Sequence, residues 1–277
     1  MPLKYYAVVG HPISHSLSPQ IHHAFAEQCG ISLQYDKYCV ETHETVFEAF
    51  VRDFFQQGGA GLNITSPFKQ RAFQLAGQVT ERARLAGAVN TLIPLSPTEI
   101  LGDNTDGVGL VHDLLENQKQ LIAGKTILIL GSGGATQGIL PALAAGSPNK
   151  IIIASRNSEE WSASLSNGVS SQHRLGPSLS YEDLSEPFDL IINATPLSLS
   201  HQLPPVTSAI LHSNSFCYDL VYDKSRETVF TRWAQQHGVA SCDGLGMLIS
   251  QALEAFYLWH PELNRSGVSQ ATTLSFL

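Results

Sequence analysis

Short apolar runs alternate along the chain with longer segments in which apolar residues recur every three or four positions. A short run is typical of a strand, and the longer period is typical of a helix that buries one face. In the first part of the chain, the pattern predicts strands at 5–10, 34–40, 61–65, 88–94 and 99–103. It predicts helices at 19–30, 44–57, 70–77 and 108–118.

A second series of elements begins at Lys125, because residues 126–130 form a continuous apolar run that is typical of a strand buried on both faces. Further strands are predicted at 151–154, 188–193 and 217–221, and helices at about 134–145, 227–238 and 245–260. The serine-rich stretch 158–185 is predicted to be helix plus loop. Since strands and helices alternate with short connections, we expect a parallel, doubly wound sheet here and two α/β domains in the whole chain.

Composition narrows the class of protein. The 277 residues suffice for one large or two modest domains, and 43% of them are hydrophobic. Only 14% are charged, which excludes a disordered polyelectrolyte. The net charge is −8 and no basic run offsets it, so nucleic acid is not an expected partner.

Cysteine spacing and hydropathy indicate the compartment. Four cysteines show no CxxC spacing, so we expect reduced thiols and no disulfide framework. Residues 1–10 are typical of a strand and not of a signal peptide, and no apolar stretch approaches the ~20 residues that span a bilayer. The chain is therefore expected to be cytoplasmic and away from membranes, and either a monomer or a homodimer.

A glycine-rich turn, GSGGATQ at 131–137, lies between the first strand of the second series and a helix. Gly131, Gly133 and Gly134 would let the backbone approach a ligand closely, and the helix N-terminus would favour a pyrophosphate. The spacing differs from the common GxGxxG, but its context is that of a dinucleotide site. An ordinary turn between strand and helix is the alternative.

Hydride transfer at a carbinol carbon requires an acid–base group at the oxygen. No HExxH motif or His/Cys set with zinc-ligand spacing is visible, so we expect an organic group and no metal. Lys69 is a candidate, because Ser66 could cap a helix that begins at Pro67 and places Lys69 in its first turn. A cation there opposes the helix dipole, although a solvating surface lysine is the alternative.

Asp106 is the second candidate, and capping of the following helix is its alternative role. Asn63 and Thr65 lie two positions apart on a predicted strand and would share a face that could hold hydroxyls. Ser14 and Ser16 alternate across His15 after the first strand, where their hydroxyls would suit a carboxylate.

These residues belong to a longer series of short motifs whose order and spacing resemble the shikimate/quinate dehydrogenase family over nearly the whole chain. The motifs are ISHSLSP at 13–19, NITSPFK at 63–69, GAVNT at 87–91, GDNTDG at 102–107, GSGGA at 131–135, NAT at 193–195, YDLVY at 218–222 and DGLGML at 243–248, with Gln251. The resemblance implies reversible reduction of 3-dehydroshikimate with NADPH in aromatic amino-acid biosynthesis.

The resemblance also implies roles for individual residues. Lys69 and Asp106 would be the catalytic pair. The implied substrate-binding residues are Ser14, Ser16, Asn63, Thr65, Asn90, Tyr222 and Gln251. The implied NADP-binding residues are Gly131, Ser132, Gly133, Gly134, Ala135, Ser155, Arg156, Asn157, Thr195, Gly244 and Met247.

The family architecture implies a discontinuous α/β substrate domain at 1–105 and 245–277, and a Rossmann-like, doubly wound parallel-sheet domain for NADP at 106–244. The active site would be the cleft between them. Two competing functions remain open. One is a quinate/shikimate dehydrogenase with a broader substrate range and use of NAD as well as NADP. The other is a non-catalytic nucleotide-sensing protein on the same fold.

Three departures from the family pattern bear on the cofactor. Ser155-Arg156-Asn157 stands where the family has Asn-Arg-Thr, and Glu160 replaces a second basic residue. Because no acid ends the second nucleotide-domain strand, Arg156 is expected to bind the 2′-phosphate of NADP, unless it is a surface residue paired with Glu160. Pro196-Leu-Ser198 replaces small residues and glycine, and is expected to reshape a loop near the nicotinamide.

Overall fold

The computed structural model describes residues 3–43, 45–96, 98–156, 158, 175–223 and 227–277. The chain forms two compact units, which are Met1–Gly109 with Ile249–Leu277, and Leu110–Leu248. No helix in the described ranges combines the length and the apolar character needed to span a bilayer.

The first unit is built on a mixed six-stranded sheet with the order β2-β1-β3-β5-β6-β4. Its strands are β1 (Lys4–Gly10), β2 (Leu33–Cys39), β3 (Gly59–Ile64), β4 (Gln78–Val79), β5 (Thr91–Pro94) and β6 (Ile100–Asp103). Its helices are α1 (Ser18–Cys29), α2 (Val46–Gln56), α3 (Lys69–Leu75), α4 (Glu81–Ala86) and, at its end, α5 (Asp106–His112). β1 runs parallel to β2 and β3, whereas β5 is antiparallel to β3 and β6.

Aromatic packing ties the C-terminal residues to this sheet. The Trp259 ring stacks on Tyr6 with ring centroids 4.9 Å apart, and its Nε1 donates to the Leu92 carbonyl at 3.1 Å. Gly61 faces the same indole, and a Cβ at that position would lie 2.3 Å from Trp259 Nε1. Glycine at 61 therefore lets the ring lie directly against β3.

The second unit contains a six-stranded sheet with the order β12-β11-β10-β7-β8-β9, in which every strand pair is parallel. Its strands are β7 (Thr126–Leu130), β8 (Lys150–Ala154), β9 (Leu175–Leu179), β10 (Leu190–Asn193), β11 (Phe216–Asp219) and β12 (Ala240–Cys242). Described helices here are α6 (Gly134–Ala145), α7 (Val229–Gln236) and the start of α8 (Leu245–Trp259), and α9 (Gln270–Leu274) follows in the first unit.

Both faces of this parallel sheet are covered. Ile127 and Ile129 belong to one buried apolar cluster, whereas Leu128 and Leu130 of the same strand belong to another. Alternate side chains of a strand point to opposite faces, so β7 is buried on both. The predicted doubly wound sheet is confirmed.

The sequence pattern missed several short elements and misplaced one helix start. It gave no β4, α4, β12 or α9, and it assigned helix plus loop to a stretch that contains β9. α3 begins at Lys69 with Phe68 at the N-cap, so the predicted cap at Ser66 is wrong. Phe68 is fully buried against Phe47, with ring centroids 4.7 Å apart, and its backbone N–H donates to the Thr65 carbonyl. Residues 65–68 therefore form a turn that precedes the helix.

Candidate functional site

Lys69 and Asp106 are in direct contact in the first unit. Lys69 is the first residue of α3 and Asp106 the first of α5, and Lys69 Nζ lies 2.5 Å from Asp106 Oδ2. The two side chains are 19% and 8% exposed, so the pair is partly shielded from water yet reachable. Asn90 Nδ2 donates to the other oxygen, Oδ1, at 2.9 Å. Both carboxylate oxygens therefore accept from side chains, which favours a chemical role over the capping alternative.

The turn before Asp106 is held by its own polar groups. Asn104 Oδ1 accepts from the Asp106 backbone N–H at 3.1 Å, and Asn104 Nδ2 donates to the Ala88 carbonyl at 2.9 Å. Asp103 Oδ1 accepts from the Asn104 backbone N–H, and Arg82 donates to both Asp103 oxygens at 2.7 and 2.6 Å. These contacts fix the backbone that presents Asp106.

Asn90 and Gln251 lie beside the ion pair although 161 positions separate them in the sequence. Asn90 Nδ2 donates to Gln251 Oε1 at 3.2 Å, and Thr105 Oγ1 contacts the same oxygen at 3.3 Å. α8 carries Gln251 into the first unit, and Gly109 of α5 makes the approach possible, because a Cβ there would lie 2.6 Å from Gln251 Cβ. The structure thus brings four predicted residues, including Lys69 and Asp106, into one cluster.

The predicted carboxylate-binding residues follow the ends of β1 and β3. Ser14 is exposed and Ser16 is buried, and Lys37 Nζ donates to both of their carbonyls, at 2.7 and 3.4 Å. Thr65 is half-buried and its backbone N–H donates to the Val9 carbonyl. Since β1 and β3 are parallel neighbours, their carboxyl ends lie at one edge of the sheet, where ligands of such sheets bind.

Asn63 lies beneath this edge rather than on it. Its Oδ1 accepts from the Tyr35 hydroxyl at 2.6 Å, and its Nδ2 lies 3.3 Å from both the Asn90 carbonyl and Thr91 Oγ1. Both ends of the amide are therefore used inside the protein. The sequence pattern predicts no role for Tyr35, Thr91 or Thr105, although Thr91 and Thr105 lie in the motifs at 87–91 and 102–107. A motif does not show which of its hydroxyls contacts an amide from another strand.

The glycine-rich turn of the second unit joins β7 to α6, as predicted. Gly131 has a φ of 101°, a left-handed conformation that favours glycine, and a Cβ there would lie 3.0 Å from Thr195 Cγ2. At Gly133 and Gly134 a Cβ would meet no atom within 4 Å. The backbone thus requires Gly131, whereas Gly133 and Gly134 leave open space at the helix N-terminus, where a phosphate can bind.

A cavity of about 560 Å³ adjoins this turn. Its lining residues are Gly131, Ser132, Gly133, Ser155, Arg156, Tyr181, Ala194, Thr195, Pro196, Leu197, Leu203 and Pro205. Ser155 Oγ is buried and has no hydrogen-bond partner among the described residues. A buried hydroxyl needs a partner, so the cavity fits a polar ligand such as NADP. Asn157 and Glu160 lie outside the described residues.

The remaining predicted NADP-binding residues have well-defined internal contacts. Thr195 Oγ1 donates to Asn193 Oδ1 at 2.6 Å, and the Met247 backbone N–H donates to the Tyr218 hydroxyl at 3.3 Å. Gly244 is packed so closely that a Cβ would lie 2.3 Å from the Leu220 carbonyl oxygen. Close packing against Leu220, the residue after β11, therefore explains why position 244 is a glycine.

Two other predicted positions follow sheet strands in the same unit. Tyr222 is half-buried, three residues beyond β11. The unusual Pro196-Leu-Ser198 segment leads into a 3₁₀ helix, Leu197–Ser200, and Ser198 Oγ donates to Asp219 Oδ2 at 2.6 Å. Burial raises the pKa of Asp219, although hydrogen bonds from Ser198 and other donors oppose this effect. Within the described ranges, no group of three or more His, Cys, Asp or Glu could hold a metal ion.

Known proteins match this chain over nearly its whole length. A family model described as the shikimate dehydrogenase substrate binding domain matches residues 8–92. A shikimate dehydrogenase (NADP(+)) from Cellvibrio japonicus is 47% identical over 258 residues, which cover 92% of this chain and 91% of the relative. The chain belongs to the shikimate dehydrogenase family.

Solved structures of other proteins agree with the fold described above. An Ael1 enzyme from Pseudomonas putida is similar with a TM-score of 0.83 at 39% identity, and the match covers 93% of each chain. The shikimate 5-dehydrogenase of Thermus thermophilus, in complex with NADP(H) and shikimate, has a TM-score of 0.82 at 27% identity. That match covers 99% of this chain and 100% of the other, so both α/β sheets belong to the family fold.

Proposed function

We propose that this chain interconverts shikimate and 3-dehydroshikimate with NADP(H), with Lys69 and Asp106 as its acid–base pair. The activity is that of an NADP-dependent shikimate dehydrogenase, an oxidoreductase of the shikimate pathway that leads to the aromatic amino acids. The 2.5 Å contact between Lys69 Nζ and Asp106 Oδ2 carries the residue assignment, because a hydroxyl that becomes a carbonyl must exchange its proton with a positioned side chain.

We assign substrate binding to residues 1–105 and 245–277, and NADP binding to residues 106–244. The matched substrate-binding model at 8–92 supports the first assignment. The glycine turn and the cavity beside Ser155 support the second. A cytoplasmic location and a monomeric or homodimeric state stay predictions.

Shikimate oxidation removes a proton from the reacting hydroxyl and a hydride from its carbon, and bound NADP⁺ supplies the hydride acceptor. Lys69 and Asp106 exchange the proton with the hydroxyl. Ser14 and Ser16 would bind the substrate carboxylate through their hydroxyls, with Thr65 nearby. Asn90 and Gln251 would orient the ring hydroxyls, since both amides already face Asp106 or its neighbours.

The decisive measurement is the absorbance of reduced nicotinamide when shikimate or quinate is supplied with NADP⁺ or NAD⁺. Shikimate with NADP⁺ should give the highest kcat/KM. Efficient use of quinate would favour the broader quinate/shikimate dehydrogenase. The absence of reduction with all four pairs would contradict the proposed function.

Lys69→Ala should lower kcat by about 10²–10⁴-fold, the usual contribution of general acid–base catalysis, and leave shikimate affinity within about tenfold. Asp106→Asn should also lower kcat with little loss of stability, because asparagine caps a helix about as well as aspartate. Lys4→Ala is the matched control, since Lys4 belongs to the same unit and its side chain is 40% exposed, 3.9 Å from Glu262. Near-normal kcat in Lys69→Ala would show that Lys69 is only structural.

Cofactor preference tests the assignment of Arg156. β8 ends at Ala154 and Ser155-Arg156 follows, so no acid stands where an NAD-specific site would bind the ribose 2′-hydroxyl. Arg156→Ala should weaken NADP⁺ binding by about 10- to 150-fold, the loss of one charged hydrogen-bonding group, and barely change NAD⁺ binding. Arg232→Ala, in the same unit, is the control. An equal loss for both cofactors would place Arg156 away from the 2′-phosphate.

A further inference from the structure

A chain of buried hydrogen bonds crosses the first unit and ends at Asp106. The Tyr35 hydroxyl donates to Asn63 Oδ1 at 2.6 Å, and Asn63 Nδ2 donates to Thr91 Oγ1 at 3.3 Å. Thr91 Oγ1 donates to Asn90 Oδ1 at 2.9 Å, and Asn90 Nδ2 donates to Asp106 Oδ1 at 2.9 Å. Asn63, Thr91 and Asn90 each accept on one side and donate on the other, so the donors run from Tyr35 towards the carboxylate.

The register of the sheet sets the positions of the middle residues in this series of hydrogen bonds. Asn63 of β3 and Thr91 of β5 are directly opposite one another in the antiparallel pair, and Asn90 immediately precedes β5. Asn63 and Asn90 are 6% and 3% exposed, and Thr91 is 0% exposed. A group buried this deeply cannot exchange a lost partner for bulk water, so each bond depends on its neighbour.

Thr91 helps to decide which way the Asn90 amide points. Asn90 Oδ1 accepts from Thr91 Oγ1 and from the Thr105 backbone N–H, both at 2.9 Å. In the reverse orientation, the amide NH₂ would face the backbone donor and its oxygen would face the Asp106 carboxylate. With this orientation, Asn90 Nδ2 faces Asp106 Oδ1 and Thr105 Oγ1, both at 2.9 Å, and Gln251 Oε1 at 3.2 Å.

We propose that Thr91 is a positioning residue for the dehydrogenase reaction: its hydroxyl transmits the hydrogen-bond chain from Tyr35 and holds the Asn90 amide towards Asp106. The proposal rests on the proposed function, because it takes Asp106 and Lys69 as the reacting pair. Thr91 itself touches neither Lys69 nor Asp106 in the described contacts, and acts through Asn90.

Two substitutions at one position separate the hydroxyl from the packing of Thr91. Thr91→Val keeps the shape and removes the hydroxyl, whereas Thr91→Ser keeps the hydroxyl and removes a methyl group. Thr91→Val should lower kcat/KM for shikimate by about 3- to 10-fold, the effect of one net hydrogen bond, with the KM for NADP⁺ unchanged. Thr91→Ser should restore most of the activity. A residue that only fills space would show the opposite order.

Thr273→Val is the matched control. Thr273 is also fully buried in the first unit, and its Oγ1 donates to the Ser269 carbonyl at 3.0 Å, away from the ion pair. It should lose stability in urea without losing kcat/KM. If Thr91→Val does not fold, Thr91→Ala removes the same hydroxyl and should show the same loss of turnover per folded molecule, measured by near-ultraviolet circular dichroism.

The proposal would be overturned if Thr91→Val stays within twofold of the unmodified chain, or if Thr91→Ser loses as much as Thr91→Val. Failure of the proposed function has a different signature. In that case Lys69→Ala and Asp106→Asn would keep their turnover, whatever the substitutions at Thr91 do.

Discussion

His22 should make the stability of the first unit depend on pH between neutral and mildly acidic conditions. Its side chain is fully buried in α1, and neither ring nitrogen has a hydrogen-bond partner among the described residues. The ring stacks on Tyr35 with centroids 4.4 Å apart and lies 5.3 Å from Trp259. Burial lowers the pKa of His22 to about 3, and the nearby Asn63 side chain offsets this only in part.

The sign and size of this effect of pH on stability follow from proton linkage. The folded pKa of His22 lies below the unfolded value of ~6.5, so between these values the unfolded chain binds more protons than the folded one. Stability is therefore fully present above the unfolded pKa and falls as pH decreases. From pH 7 to pH 5 the loss is about 2 kcal/mol, since ~1.5 pH units below the unfolded pKa cost ~1.4 kcal/mol each. This loss of stability changes little for any pKa of His22 in the folded state below ~4.

The perturbation is His22→Phe, which keeps an aromatic ring in the cluster and removes the titration. Urea unfolding should be followed by the fluorescence of Trp259, with Trp161 and Trp233 replaced by phenylalanine. The free energy of unfolding of His22→Phe minus that of its parent should rise by about 2 kcal/mol when the pH is lowered from 7 to 5. His23→Phe removes the exposed neighbour on the same helix as a control. A difference that stays constant with pH would refute the reasoning.

Two further predictions concern residues that fix the backbone at each candidate site. Burial alone would raise the pKa of Asp103, but hydrogen bonds from Arg82 outweigh this and lower it. Asp103→Asn should therefore lower the free energy of unfolding, measured in urea at pH 7, by about 2–3 kcal/mol. This loss is smaller than that for breaking a fully buried ion pair, because Arg82 keeps a second carboxylate partner, Glu254. The stability difference between Asp103→Asn and the unmodified chain should shrink below pH ~4, where the Asp103 carboxylate becomes protonated. A stability difference that does not change in acid would contradict this prediction. Gly131→Ala should destabilise the second unit in thermal unfolding by about 1–3 kcal/mol, because of its φ and its contact with Thr195. Gly133→Ala should keep the stability of the unit and weaken NADP⁺ binding. Equal melting temperatures for Gly131→Ala and Gly133→Ala would show that position 131 does not require glycine.

The elements with a strong hydrophobic period could be predicted from the sequence. β7 and β8 are almost entirely apolar and buried on both faces, so their position and their parallel pairing follow from pattern alone. The glycine turn between β7 and α6 could be placed because its residues have a backbone requirement that few others meet. Short elements carry no such signal. β4 has two residues and α4 has six, and both depend on tertiary contacts such as the pairing of β4 with β6.

The start of α3 shows how packing overrides a local signal. A serine followed by proline is typical of a helix start, yet the helix begins two residues after Pro67. Phe68 occupies a fully buried position against Phe47, which lies in a distant part of the sequence. That contact depends on where α2 packs, which no window of sequence around Phe68 contains.

The sequence marks the two residues that we propose as the reacting pair, and not the residues that contact them. Lys69 and Asp106 have charged side chains within the motifs at 63–69 and 102–107, so the sequence marks them. Tyr35 and Thr91 are strand residues, and the role that we propose for their hydroxyls depends on the register of β3 and β5, which sets Asn63 opposite Thr91. Predicting them would require the side-chain geometry of three strands at once.

The charge of the protein limits how it can bind its ligands. Shikimate and NADP are both anions, whereas the chain carries a net charge of −8. The net charge of the whole chain therefore gives no long-range attraction for these anions, and we expect short-range donors to supply the binding energy. The predicted sites contain such donors: serine hydroxyls after β1, backbone N–H groups at the start of α6, and the guanidinium of Arg156, which lines the cavity. Because hydrogen-bond donors act over a few ångströms, recognition depends on how rigidly the strand ends hold these groups.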